Sequence, residues 1–125
     1  MKVYRVQHKT RTVGPLCSGG ADMHGASWSY FARDHDDPED VDPDLYAKSF
    51  PKGVGSKHRF GMQSYAMLDD LFYEHARVVL RNEGFRAIEL EVPDEHCVVF
   101  SDGQVIFDRT KVESLTVLKG FMPEV

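Results

Sequence analysis

Residues 68–92 read LDDLFYEHARVVLRNEGFRAIELEV, and the fold is decided where the spacing of their apolar side chains changes. Leu68, Leu71, Phe72, His75, Ala76, Val79 and Leu80 recur at intervals of three and four, which lays one stripe along a helix. From Arg86 the interval becomes two: Ile88, Leu90 and Val92 face one way, Glu89 and Glu91 the other. Between the two patterns, Asn82-Glu83-Gly84 closes the helix, with Gly84 suited to the left-handed position after the last turn and Phe85 to the apolar contact beside it. On the upstream side Ser64 stands as an N-cap, with Asp69 and Asp70 near the positive end of the helix dipole. The reading predicts one main amphipathic helix over about residues 64–83, with His75 in its core stripe, followed by a half-buried strand.

Working outward, Pro93-Asp94 turns the chain, and Ser101-Asp102-Gly103 sits between the runs 96–100 and 104–108, a strong hairpin signal. Residues 112–118 offer a last strand. Phe60-Gly61-Met62 reads as a short strand before the helix, and Val3, Tyr4 and Val6 mark another at about residues 2–8. Residues 1–125 are expected to form a single α+β domain with a largely antiparallel sheet, one face of it covered by the helix.

The segment 14–59 is different. It is broken by glycines and prolines, yet carries Trp28, Tyr30, Phe31, Leu45, Tyr46 and Phe50, too many apolar rings to leave in water. The expectation is a long aromatic, acidic connector loop packed onto the domain, with a short helix near residues 44–48 capped by Asp44. Asp34, Asp36, Asp37, Glu39, Asp40, Asp42 and Asp44 put seven carboxylates into eleven residues that contain no Lys or Arg. Pro38 and Pro43 lead one to expect neither helix nor central strand there. A calcium loop is excluded, because the sixth position from Asp34 is Glu39 where an EF-hand needs Gly.

The chain has 125 residues, 42% hydrophobic and 28% charged, the composition of a globular protein. Its net charge of −5 argues against general binding to nucleic acid, which needs a basic face. No apolar run approaches the length of a membrane span, and Lys2 and Arg5 are followed by no apolar signal region, so the expected location is the cytoplasm. Cys17 and Cys97 make no disulfide framework and are read as free thiols. The six histidines show no metal-ligand spacing, so neither a metal nor a resident cofactor is expected. The glycines 14, 19, 20 and 25 fit neither the dinucleotide-binding fingerprint nor the phosphate-binding loop of nucleoside triphosphatases.

Two resemblances add to this. Residues 60–64 (FGMQS), the helix end at Gly84-Phe85, the turn 91–95 (EVPDE), residues 104–109 (QVIFDR) and the opening Tyr4-Arg5-Val6 resemble small proteins of unknown function from actinobacterial phages and prophages. That resemblance covers about half of the chain and implies a phage accessory protein. More distantly, Arg5, Ser64 and Gln104 fall where the ADP-ribosyltransferase fold places an Arg on its first strand, a Ser after a short aromatic strand and a Glu on a later one. That likeness implies NAD as cofactor, its phosphates held by the Arg and its cationic transition state stabilised by the carboxylate. The sequence departs from the pattern at Gln104, which is neutral, with Asp102 two residues before it.

The leading expectation is therefore a protein that binds a host macromolecule, in the first instance a host protein, through Asp36, Asp37, Asp40 and Asp42 together with Trp28, Tyr30 and Tyr46. The alternative is a transferase-like enzyme or a degenerate NAD-binding relative that uses Arg5, Ser64 and Gln104.

Overall fold

The computed structural model describes residues 1–10, 32–33 and 35–122, which form an α+β arrangement around one six-stranded antiparallel sheet. In chain order the elements are β1 (Lys2–His8), α1 (Pro38–Val41), α2 (Pro43–Ser49), β2 (His58–Met62), α3 (Tyr65–Leu71), α4 (Glu74–Asn82), β3 (Phe85–Glu91), β4 (Cys97–Val99), β5 (Gln104–Asp108) and β6 (Ser114–Val117). The strand order is β4-β5-β2-β1-β3-β6, so the first strand lies inside the sheet although it begins the chain. The hairpin β4–β5 forms as its sequence dictates: Phe100 and Gln104 close it, and Gly103 takes φ +91°.

Register assigns side chains to the two faces. Tyr4 pairs with both Met62 and Glu89, Val6 with Ala87, and Phe60 with Ile106, so these residues share one face. That face holds both helical layers. Leu68, Phe72, Ala76 and Leu80 from α3 and α4 pack with Val6, Phe85, Ala87 and Phe121. Beside them, Val41, Leu45, Tyr46 and Phe50 of the α1–α2 segment pack on Phe100 and Ile106. The other face gathers Val3, Ile88, Leu90, Val92, Val105 and Phe107. Gly61 sits in the middle of this second face because nothing larger fits: a Cβ there would lie 2.5 Å from Val3 Cγ1.

The helix expected over residues 64–83 is two helices. Ser64 caps the first as anticipated, its Oγ accepting from Met67 N at 3.2 Å, and Gly84 ends the second with φ +91°. Between them the chain extends at Phe72 and Tyr73, where Phe72 bridges to Ala32. The break places Asp69 and Asp70 in the last turn of α3, away from the positive dipole end assigned to them. The orphan carbonyls of that last turn are taken by two arginines. Arg33 donates from its backbone N to Leu71 O at 2.8 Å and from Nε to Asp70 O at 2.9 Å. Arg77 donates from Nη2 to Asp69 O at 2.7 Å and to Phe72 O at 2.8 Å. The break also shifts the phase of the second helix, so α4 buries Ala76, Arg77 and Leu80. His75, placed in the core stripe by periodicity, is exposed and stacked on Tyr73 at 5.3 Å.

The acidic stretch is helical at α1, against expectation, whereas α2 is the short helix expected near residues 44–48. Pro38 and Pro43 each occupy the start of a helix, where the missing N–H has no partner to lose and φ is already helical. Asp42, not Asp44, occupies the N-cap position of α2, and its side chain makes no capping bond.

Candidate functional site

Asp36, Asp37, Glu39, Asp40 and Asp44 are exposed along α1, its N-terminal approach and the start of α2. Among the described residues, no Lys or Arg forms an ion pair with any of them. A solvated charge run would need nothing beneath it, but this one is bolted down. Its apolar side inserts Val41, Leu45, Tyr46 and Phe50 against Phe100 and Ile106, with Phe50 also edge-on to His58 at 5.0 Å. Two polar ties flank that contact. Gln104 Nε2 donates to the carbonyl oxygen of Asp36 at 2.7 Å, and Ser101 N donates to the Asp42 carboxylate at 2.7 Å.

Of the residues read as binding positions, Asp36, Asp37 and Asp40 are brought together on this acidic surface. Asp42 is only partly exposed and its carboxylate is spent on the β4–β5 turn, so it is a fastening residue rather than a contact. Tyr46 faces inward, half-buried, with its ring 5.6 Å from that of Phe50. Trp28 and Tyr30 lie outside the described residues, as do Cys17, Phe31 and Asp34.

Arg5, Ser64 and Gln104 are not brought to one cleft. Gln104 pairs with Met62, which pairs with Tyr4, so Gln104 projects from the helix-covered face while Arg5, one residue on, projects from the other. The Arg5 side chain is buried there, donating from Nη1 to Phe60 O at 2.8 Å and lying 5.8 Å from the centre of the Phe107 ring. Ser64 Oγ is occupied as a helix cap. Gln104 is 5% exposed and shares its Nε2 between Asp36 O and Asp102 Oδ2, the latter at 2.6 Å. The three side chains have three separate structural tasks, and the hydrogen-bond reach that joint catalysis requires is not met.

Sequence reasoning missed Arg77 and Gln104 as organising residues. Arg77 is off the apolar stripe and Gln104 is a polar residue at the start of its strand, beside the turn, so neither carried a signal of burial. Cys97 is a half-buried free thiol, and burial pushes it above its ordinary pKa. Among the described residues, no cluster of His, Cys, Asp and Glu could hold a metal ion, and no helix is long and apolar enough to cross a membrane.

Residues 1–119 match the model of a family described as bacteriophage T4 Y00F protein. No curated protein and no solved structure matches the chain.

Proposed function

Because the chain belongs to the bacteriophage T4 Y00F protein family, we propose that it is a phage accessory protein acting by binding a host macromolecule, specifically a basic host protein that docks on the acidic surface of α1 and the start of α2. The observation that supports this reading is the set of exposed carboxylates at Asp36, Asp37, Glu39, Asp40 and Asp44. They have no cationic partner among the described residues, yet they are presented on a helical segment anchored in its own apolar cluster. Rigid presentation of one sign of charge steers an oppositely charged partner and reduces the ordering cost of binding.

The test is capture from host-cell lysate by the parent and by a variant carrying Asp36→Asn, Asp37→Asn, Glu39→Gln and Asp40→Asn, with Asp42 left in place because it fastens the fold. The parent should retain a basic protein that is released as salt rises, and the variant should lose it mainly through slower association. Equal retention by both proteins would overturn the reading.

A further inference from the structure

His58, the first residue of β2, pairs with Asp108, the last of β5, and Arg109 N extends the ladder by donating to Lys57 O at 2.8 Å. Two segments far apart in the chain, 52–59 and 109–111, are thereby laid side by side. Together they carry Lys52, Lys57, Arg59, Arg109 and Lys111 and contain no Asp or Glu. Lys52, Lys57, Arg109 and Lys111 are exposed. A net charge of −5 conceals this basic patch, because neither segment alone is strongly basic and only the strand pairing joins them.

Local bonds draw these charges together. Ser56 O accepts from Arg59 Nη1 at 2.8 Å and from Arg109 Nε at 3.3 Å, so two guanidinium groups share one carbonyl oxygen. The carboxylate at this junction, Asp108, is already committed. It accepts from Thr110 Oγ1 at 2.6 Å and Thr110 N at 2.9 Å, and lies 3.7 Å from Lys57 Nζ. The Thr110 hydrogen bonds foremost, and then the nearby charges of Lys57 and Lys111, hold its carboxyl below the ordinary value, so it offsets one positive charge and no more. Among the described residues, no carboxylate forms an ion pair with Lys52, Arg109 or Lys111. The connecting turn adds backbone donors. Gly55 N donates to His58 Nδ1 at 2.9 Å and His58 N to Gly55 O at 3.1 Å, which closes the turn across Ser56 and Lys57. Both of those residues are exposed, and among the described residues nothing accepts from their N–H groups.

Like charges that a fold holds together repel, and a multivalent anion relieves them. The donors also match one class of anion. A guanidinium offers a planar fork, an ammonium a compact charge, and exposed amides of a turn short hydrogen bonds, which is the set that recognises phosphate oxygens. The charges fall at two foci, Arg59 with Arg109 at Ser56 O and Lys57 with Lys111 about Asp108, which suits linked phosphate groups better than a single ion. We propose that the β2–β5 junction is a phosphate-binding site, built by Lys52, Lys57, Arg109 and Lys111 with the Ser56 and Lys57 amides, for a ligand carrying linked phosphate groups.

Two probes separate the sources of such groups: inorganic tripolyphosphate, followed by calorimetry, and a fluorescein-labelled oligothymidylate, followed by anisotropy. At low salt the full chain should bind at least one of them, and added salt should weaken the binding. Arg109→Gln and Lys111→Gln should each weaken it at least about threefold. Lys2→Gln removes the same charge from an exposed position at the opposite end of the sheet and should leave it unchanged. Arg109→Lys should recover part of the binding lost in Arg109→Gln, a recovery that a misfolded variant cannot give. Binding of tripolyphosphate alone assigns the site to a free oligophosphate, and oligothymidylate binding that tripolyphosphate displaces assigns it to a nucleic-acid backbone. Binding of neither probe, oligothymidylate binding that tripolyphosphate does not displace, or equal weakening by Lys2→Gln and Lys111→Gln would each overturn the proposal.

Discussion

Gln104 and Asp36, sixty-eight residues apart, meet through a 2.7 Å hydrogen bond from the Gln104 side-chain amide to the Asp36 carbonyl, deep enough that Gln104 is only 5% exposed. The same amide donates to Asp102 Oδ2. A glutamate at 104 would retain the shape, lose the donor and face two oxygens. Gln104→Glu is therefore expected to destabilise the protein by about 1–3 kcal/mol. Urea unfolding measures the loss, and faster amide exchange in α1 and α2 would locate it. A variant as stable as the parent would mean that the acidic segment is held by its apolar contacts alone.

Arg77 has a comparable task between the two helices. Its guanidinium lies 3.9 Å from the centre of the Phe121 ring and donates to Asp69 and Phe72 carbonyls and to the Asp69 carboxylate, the last at 3.0 Å. Arg77→Met should retain bulk but strand those carbonyls, for an expected loss of about 2–4 kcal/mol. Arg77→Lys should recover only part of it, because an ammonium lacks the planar fork that reaches both carbonyls. Full recovery by Lys would show that charge, not geometry, matters here.

The two-helix arrangement separates residues that periodicity had grouped. Leu80 is fully buried, so Leu80→Ala is expected to lose about 2–5 kcal/mol. Leu71, at the break, is partly exposed and should lose clearly less on the same change. Thermal or urea unfolding of the two variants side by side checks the ordering.

Asp108 makes an acid-sensitive contribution. Hydrogen bonds from Thr110, Oγ1 at 2.6 Å and backbone N at 2.9 Å, hold its carboxyl below the ordinary value of 3.8, with Lys57 adding to the effect. A lowered pKa in the folded state means stability that is present above 3.8 and is lost as the pH falls through the folded value. Asp108→Asn keeps an acceptor for Thr110 but cannot titrate. It should be less stable than the parent near neutral pH, with the gap closing in acid. Urea midpoints across that range test the sign; a gap that stays constant with pH would exclude the charge as its source.

The α+β class, β1, the β4–β5 hairpin, the cap at Ser64 and the stop at Gly84 were legible in the sequence because each rests on local chemistry. Alternation, a turn glycine and a capping hydroxyl act within a few residues of themselves. The acidic run was legible as composition and the short helix near residues 44–48 was expected, but α1 was not, because a proline reads as a breaker until its position at a helix start is known. What only the tertiary structure decided were the break at Phe72, the burial of Arg77 and the opposed faces of Arg5 and Gln104. A helix pattern continues across Phe72 in sequence, and N–H donation from Arg33 and Arg77 to the carbonyls freed at the break makes the interruption tolerable. Which strand neighbours which is likewise invisible along the chain, since β1 comes to lie between β2 and β3 through contacts dozens of residues apart. Register across those contacts, not the spacing of residue types, put Arg5 on one side of the sheet and Gln104 on the other.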